Sequence, residues 1–413
     1  MTESNQALLD AHAWIAKQQT SVSDRLQRWC EQNSGSYHPQ SLKTMAEVLV
    51  DDLSSWGLPV ERVKLPNWEE LDDVGQLVSH STGPGLLWHH LPQADHRVLL
   101  LIHYDTVYSP DPPPAIRRVG ERLVAPGAAD AKGGIAVLHL ALAALQRFEV
   151  APNLGWSVVL NPDEEIGSPA SRDWFASLAD GYDFGMVFEP ALPGGAWVAD
   201  RKGSGNWSFL VQGRSAHAGR NPEQGRNAIV QAAALVQALD ALNDRAHGRT
   251  VNVGRIQGGG PLNRVPDVAV VRVNVRITES DDEARIESRF RELASNFSGD
   301  GFRCSLFGSL HAPVKHADKY ALLLRQRMQA AAEKVSRPVQ WQDTGGACDG
   351  SKLAAFGLPN VDTLGPTGDH LHSPAEYCQL DSIVPAAQTI VQALHDFAAE
   401  PLRWPTRAMR EQR

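Results

Sequence analysis

Two glutamates stand side by side in NPDEEIG (161–167), directly after the apolar run GWSVVL (155–160). Adjacent carboxylates at the end of a buried strand repel one another and lose hydration, so Glu164 and Glu165 require a compensating positive charge. Groups able to share such a charge recur along the chain: His103 and Asp105 in HYDTV (103–107), Asp130 in GAADAKGG (127–134), Glu189 in FEP (188–190) and His372 in GDHLHSP (368–374). Two imidazoles with several carboxylates suit a borderline cation, zinc first, with cobalt or manganese also able to bind. The donors exceed what one tetrahedral ion takes. Two ions sharing a carboxylate would use them all; such pairs sit roughly 3.5–4 Å apart and hold a bridging hydroxide. Their charge also removes the objection to crowding acids together. The two glutamates should then differ. In extended chain, neighbouring side chains point to opposite faces, so one binds metal while the other faces the reacting water. Asp105, two residues after His103, is placed to accept the imidazole's other N–H and fix its tautomer.

These residues follow predicted strands. RVLLLIHYDTV (97–107) reads as a buried strand running into a polar turn, GWSVVLNP as a second, DFGMVFEP (183–190) as a third and PNVDTLG (359–365) as a fourth. Helical periodicity covers 6–32, 41–55, 133–148 and 169–179, and resumes at 318–335, 348–356 and 380–399. Strands alternating with helices predict an α/β fold: a mostly parallel mixed sheet flanked by helices. Ligands of such sheets bind beyond the carboxyl ends of the strands, the rim to which all these donors are delivered. Between them the pattern changes. Strands at 206–214, 249–257, 268–277 and 301–308 alternate with helices at 222–242 and 280–296 in the order β-α-β-β-α-β, a ferredoxin-like α+β arrangement. The expected organisation is a catalytic domain of residues 1–202 and 313–413 interrupted by an inserted domain of residues 203–312.

With 413 residues the chain exceeds one ordinary domain. A net charge of −9 without a dense basic run argues against nucleic acid as a partner. Cys30, Cys304, Cys348 and Cys378 form no CxxC pair and suggest a reducing compartment. The first residues lack a basic stretch followed by an apolar one, and no apolar run approaches the roughly 18–20 residues of a spanning helix. The expectation is a cytoplasmic protein without a membrane partner.

The pieces HYDTV, GAADAKGG, DEEIGS (163–168), FEP, GRSAHAG (213–219), TGGACDG (344–350) and HSPAEY (372–377) together resemble the co-catalytic zinc metallopeptidases and deacylases. That family includes glutamate carboxypeptidase, aminoacylase, acetylornithine deacetylase and succinyl-diaminopimelate desuccinylase, and the likeness is greatest to the glutamate-carboxypeptidase-like branch. The resemblance implies two Zn2+ per chain: His103 and Glu189 on one, Glu165 and His372 on the other, Asp130 bridging them, with Glu164 as general base and a cis peptide bond at Asp130–Ala131. It implies that the inserted domain is a lid and dimer contact, so that the chain is a homodimer, and that His217 reaches the partner's active site to stabilise the oxyanion. It also matches Arg276 to an arginine that holds a substrate carboxylate and Asn263 to an asparagine lining the same pocket. Gly345 and Gly346 would let backbone approach the substrate. Two departures stand out: Cys348 where relatives often carry Thr or Ser, and His370 two residues before His372.

Each residue also has a plainer reading. Paired glutamates usually form a solvated turn, His217 is placed to cap a helix near Asn221, and Arg276 has Glu279 and Asp281 as surface partners. GGGP (258–261) reads as a turn, since no helix follows it. His89, His90, His139, His247, His311, His316 and His395 read as structural or solvent-facing. The set as a whole predicts a metal-dependent hydrolase that cleaves an amide or peptide bond adjacent to a free carboxylate in a small-molecule substrate, as a carboxypeptidase or N-acyl-amino-acid amidohydrolase does. An aminopeptidase, or a deacetylase or desuccinylase of a biosynthetic intermediate, is the alternative among hydrolases. A silent metal-binding scaffold protein is the alternative outside them, against which the intact Glu164 and full ligand set argue.

Overall fold

The computed structural model describes residues 3–112 and 115–400; the end of the 313–413 segment, 401–413, lies outside the described residues. Its main sheet has six strands in the order Val60–Val63, Gly85–His90, Gly155–Asn161, Arg97–His103, Phe184–Val187, Asn360–Val361. The first two junctions are antiparallel and the remaining three parallel. The strand Arg97–His103 shows why the inner strands read as unbroken apolar runs: its two faces feed different cores. Val98, Leu100 and Ile102 pack with Ile135, Leu138 and Leu142 of the helix Lys132–Arg147 and with Ile390 of the helix Ile383–Ala399. Leu99 and Leu101 pack on Phe175, Leu353 and Leu358.

The structure changes two of the expected elements. The helix expected over 6–32 is two helices, Glu3–Ile15 and Gln19–Glu31. Leu8, Ala11 and Ile15 on one and Val22, Leu26 and Trp29 on the other remain buried across the break, so the apolar period does not register it. Of the strand expected over 359–365, only Asn360–Val361 joins the ladder; Thr363 already takes a left-handed backbone (φ 62).

Close approach explains the paired glycines of GAADAKGG. A Cβ on Gly134 would lie 2.0 Å from the Phe188 carbonyl oxygen, beside Glu189. Substituting Gly134→Ala is expected to push the helix Lys132–Arg147 off this strand end, destabilising the protein by about 2–3 kcal/mol. Thermal unfolding checks this, and an unchanged midpoint contradicts it.

Residues Gly203–Gln212, Thr250–Gly258, Val268–Ile277 and Arg303–Ala312 form a second, four-stranded antiparallel sheet. The helices Ala228–Asp240 and Asp281–Asn296 bury Leu235 and Phe290 with Trp207, Phe209 and Val271 in a separate core. Where the chain enters and leaves this sheet, Arg201 and Lys315 exchange backbone hydrogen bonds, each 3.0 Å. Both side chains converge on buried Asp362, Arg201 Nη2 at 2.7 Å and Lys315 Nζ at 2.6 Å. Burial alone would raise the Asp362 carboxyl, but the two cations hold it below the usual carboxylate range. A hairpin of Trp68–Leu71 and Leu77–His80 reaches the same sheet; at its turn, Asp73 pairs with Arg272 at 2.8 Å and with Arg255. Among the described residues no helix is long and apolar enough to cross a membrane.

Candidate metal centre

His103 is the last residue of its strand, and its ring is held from behind. Nδ1 lies 3.1 Å from the Asp105 carbonyl oxygen and 3.2 Å from Asp105 Oδ1, which directs Nε2 outward. There it meets Asp130 Oδ1 at 3.1 Å and Glu189 Oε2 at 3.8 Å. The other Asp130 oxygen, Oδ2, faces His372 Nε2 at 3.2 Å, and that nitrogen lies 2.9 Å from Glu165 Oε2. Two groups result, His103–Asp130–Glu189 and Asp130–Glu165–His372, the donor atoms of each lying within 4.8 Å of one another. Asp130 belongs to both, one oxygen turned to each. The peptide bond Asp130–Ala131 is cis.

Electrostatics bear on what the cluster can hold. Burial, then the neighbouring Asp130, pushes the Glu165 carboxyl up to about 8; burial and Glu189 push Glu164 well above its usual range. Burial alone would raise Asp130, but hydrogen bonds from His103 and His372 hold it low. The carboxylates in turn raise His372 to about 11. A buried cluster with this excess of acid draws positive charge, and its donors are the nitrogen and oxygen atoms that zinc, cobalt and manganese accept. The residues present therefore fit a pair of divalent ions sharing Asp130.

Glu164 stands beside this cluster and belongs to neither group. The extended geometry expected for the two glutamates is corrected here: Glu164–Ile166 is a 3-10 turn, and the turn separates the two side chains. It is anchored by Asp105, whose Oδ1 accepts the Glu164 N–H at 3.0 Å and whose Oδ2 accepts the Glu165 N–H at 3.1 Å. Ser36 donates to Asp105 Oδ2 at 2.7 Å. One buried carboxylate thus fixes the orientation of His103 and the position of both glutamates. His372 follows no strand of the main sheet. It sits in a left-handed backbone (φ 60) between the short strands Gly368–Asp369 and Tyr377–Gln379, which pair with each other, the second pairing also with Arg122–Val124.

A cavity of about 350 Å3 opens onto the cluster, lined by Asp130, Glu164, Glu165, Glu189 and His372 on one side and by Arg276 and His311 on the other. Arg276 comes from the four-stranded sheet; its Nη1 donates to the Gly345 carbonyl at 3.2 Å and its Nε to Asn274 Oδ1 at 3.3 Å. Neither Glu279 nor Asp281 forms an ion pair with it among the described residues. Burial, with Lys352 and Arg276 nearby, pushes His311 down to about 3, so it faces the cavity as a neutral ring. Gly346 lines the same cavity, and its carbonyl accepts from Arg201 Nη1 at 2.9 Å.

Not every residue singled out in the sequence arrives here. His217 and Asn263 lie on exposed neighbouring loops, where the Ala218 N–H donates to the Asn263 carbonyl at 2.9 Å. Neither lines the cavity within one chain. Cys348 is buried beside Arg201 and Asp362 and does not line the cavity. His370 turns toward the Tyr377 ring, centroids 6.1 Å apart.

Three supporting residues escaped the sequence reading. Glu376, 1% exposed, accepts the N–H groups of Gly127, Ala129 and Asp130 at 3.1–3.2 Å and the Tyr108 hydroxyl at 2.8 Å, so it shapes the loop that carries Asp130. Asp349 accepts from Asn161 Nδ2 at 2.8 Å, from Lys352 Nζ at 2.7 Å and from Ser168, tying the end of the central strand to the cavity wall. Asp362 fixes Arg201, as above. Glu376 lay within the HSPAEY stretch, and Asp349 within TGGACDG; an acid inside a motif that already supplies a ligand or a glycine is the signal that could have found them.

A family model described as peptidase family M20/M25/M40 matches residues 99–396. The chain is 26% identical over 371 residues to carboxypeptidase G2 of Pseudomonas sp. (strain RS-16), covering 89% of this chain and 86% of that protein. It is 25% identical over 393 residues to acetylornithine deacetylase of Edwardsiella ictaluri (strain 93-146), covering 87% and 92% respectively. Its fold matches that of a metallo-carboxypeptidase from Sulfolobus solfataricus with a TM-score of 0.73 at 16% identity, over 92% of this chain and 99% of that one.

Proposed function

The chain belongs to peptidase family M20/M25/M40 and is a metal-dependent hydrolase of amide bonds, and from that premise we propose that it uses a pair of zinc ions to cleave an amide or peptide bond adjacent to a free carboxylate. The observation that carries this reading is the Asp130 carboxylate, which turns one oxygen to His103 and the other to His372. His103 and Glu189 would hold one ion, Glu165 and His372 the other, and Asp130 both. Cobalt or manganese suits the same donors. When bound, the ions supply positive charge that polarises the scissile carbonyl and acidifies water.

The remaining work falls to the chain. Arg276 receives the substrate carboxylate, since its guanidinium opens into the cavity without an acidic partner. Glu164, left out of both ligand groups, takes the proton from the attacking water and returns it to the leaving nitrogen. Its burial, which raises its proton affinity, suits it to carry that proton between the two transfers. Asp105 keeps His103 in the tautomer that presents Nε2. Residues 203–312 act as an inserted lid and dimer contact. Exposed Ile229, Val230 and Leu262 on this unit, the last fully solvent-facing, support a homodimer in which His217 and Asn263 complete the partner's site. The four free, buried cysteines accord with a cytoplasmic setting.

A panel of N-acyl amino acids and dipeptides, each with its terminal carboxylate free or amidated, tests the reading on zinc-loaded protein. Amidation is expected to lower kcat/KM by about 30-fold or more, the scale of a lost charge-assisted pair. Arg276→Gln should produce the same loss on the free acids and little further loss on the amides. Equal turnover of acids and amides would instead favour an aminopeptidase.

A further inference from the structure

The cavity at the metal centre continues into a larger one, of about 1010 Å3. The two meet at Glu165, Ile166, Gly167, Asn206, Asn274 and His311, which line both. The strand Val268–Ile277 runs along the pair, and its alternate residues face the cleft. Arg276 lines only the smaller cavity, Asn274 lines both, and Arg272 lines only the larger. At about 3.4 Å per residue, Arg272 stands roughly 14 Å beyond Arg276. The hairpin Trp68–Leu71 and Leu77–His80 walls the far part, where Leu71 packs on Leu210 and Val270 of the four-stranded sheet. A substrate with its carboxylate on Arg276 and its scissile bond at the metal centre keeps its amine side in the smaller cavity. Its acyl side is the part that can pass the junction.

The polar side chains at that junction differ in what they have left to offer. Glu165 faces His372 at 2.9 Å. Asn274 donates to Asn206 Oδ1 at 2.8 Å and accepts from Arg276. His311 belongs to neither ligand group. Its ring lies over Gly167, where a Cβ would come 3.0 Å from it, so the glycine after the glutamate turn makes room for the ring. Neither ring nitrogen has a hydrogen-bond partner among the described residues, and neither is sealed from the cavities. As a neutral ring, His311 carries one N–H donor and one bare acceptor nitrogen. A peptide group answers either, with its carbonyl or its N–H.

We propose that the acyl side of the substrate runs past His311 into the larger cavity and that His311 hydrogen-bonds a second amide group there, so that the enzyme prefers amides whose acyl side is itself a peptide over simple N-acyl amino acids. This rests on the carboxylate-adjacent cleavage proposed above and defines the other half of its substrate.

Two substrates of equal chain length test it: the N-acetylglycyl and N-pentanoyl derivatives of one amino acid, the best of the panel above, each with its carboxylate free. The first carries a second amide where the other has methylenes. On zinc-loaded protein, kcat/KM is expected to be about fivefold or more higher for the N-acetylglycyl compound, the scale of a neutral hydrogen bond. His311→Phe keeps a flat ring over Gly167 but cannot make that bond, and should bring the ratio of the two to about one. His311→Gln, which restores a donor and an acceptor, should keep a preference. Equal rates with the wild-type protein, or an undiminished ratio in His311→Phe, would overturn the assignment and leave carboxylate-adjacent cleavage standing. Turnover of neither compound would overturn both. Where a variant does not fold, the wild-type ratio decides.

Discussion

Glu164→Gln is expected to retain both metal ions and to lose turnover by about 10²–10⁴-fold, the range that general-base catalysis supplies. The amide keeps the shape of the carboxylate but cannot accept and carry a proton at the operating pH. Because Glu164 belongs to neither ligand group, metal content should not change. Its neighbour behaves oppositely. Glu165 Oε2 lies 2.9 Å from His372 Nε2 inside a ligand group, so Glu165→Gln should lower metal content and activity together. Steady-state kinetics with elemental analysis of the same preparations separates the two. Near-normal rates in Glu164→Gln would remove it from the base role.

The second large effect falls on Asp130. Each ion of the proposed pair counts this carboxylate among its ligands, so Asp130→Ala should strip both rather than one, lowering bound metal from about two per chain to well under one and abolishing turnover. His103→Ala or His372→Ala should each weaken one ion selectively. The loop need not collapse when the side chain is cut back, because Glu376 holds it through the backbone N–H groups of Gly127, Ala129 and Asp130. Circular dichroism should therefore report an intact fold while elemental analysis reports the loss. An Asp130→Ala protein that kept one equivalent tightly would show that the carboxylate is not shared.

The fold was legible wherever burial on both faces writes an uninterrupted apolar run. Arg97–His103, Gly155–Asn161 and the helix Lys132–Arg147 could be read directly, because each must be apolar to sit in the middle of a layered domain. The candidate ligands His103, Glu165 and Glu189 were legible because polar groups that end such runs have little other reason to be there. Less visible was whatever depends on contact between distant segments. Asp105 is two residues from His103, so its bond to the imidazole was foreseeable. Its hold on the Glu164–Glu165 turn, more than fifty positions on, was not, and the glutamates were expected in extended chain for that reason. His372 was expected straight after a main-sheet strand, whereas a small separate sheet positions it. Glu376 and Asp362 act on groups far away in sequence, and no local period marks them. His217 and Asn263 lie away from the site within one chain, and only an assembly could bring them to one.

The claim on which the rest depends is that one carboxylate is shared by two ions. A crystal structure of the zinc-loaded protein, with anomalous scattering recorded at the zinc edge, tests it most directly. Two peaks are predicted, one among His103, Asp130 and Glu189 and the other among Asp130, Glu165 and His372, with a different Asp130 oxygen facing each. A single peak, or zinc bound elsewhere while these five side chains stay free, would contradict it.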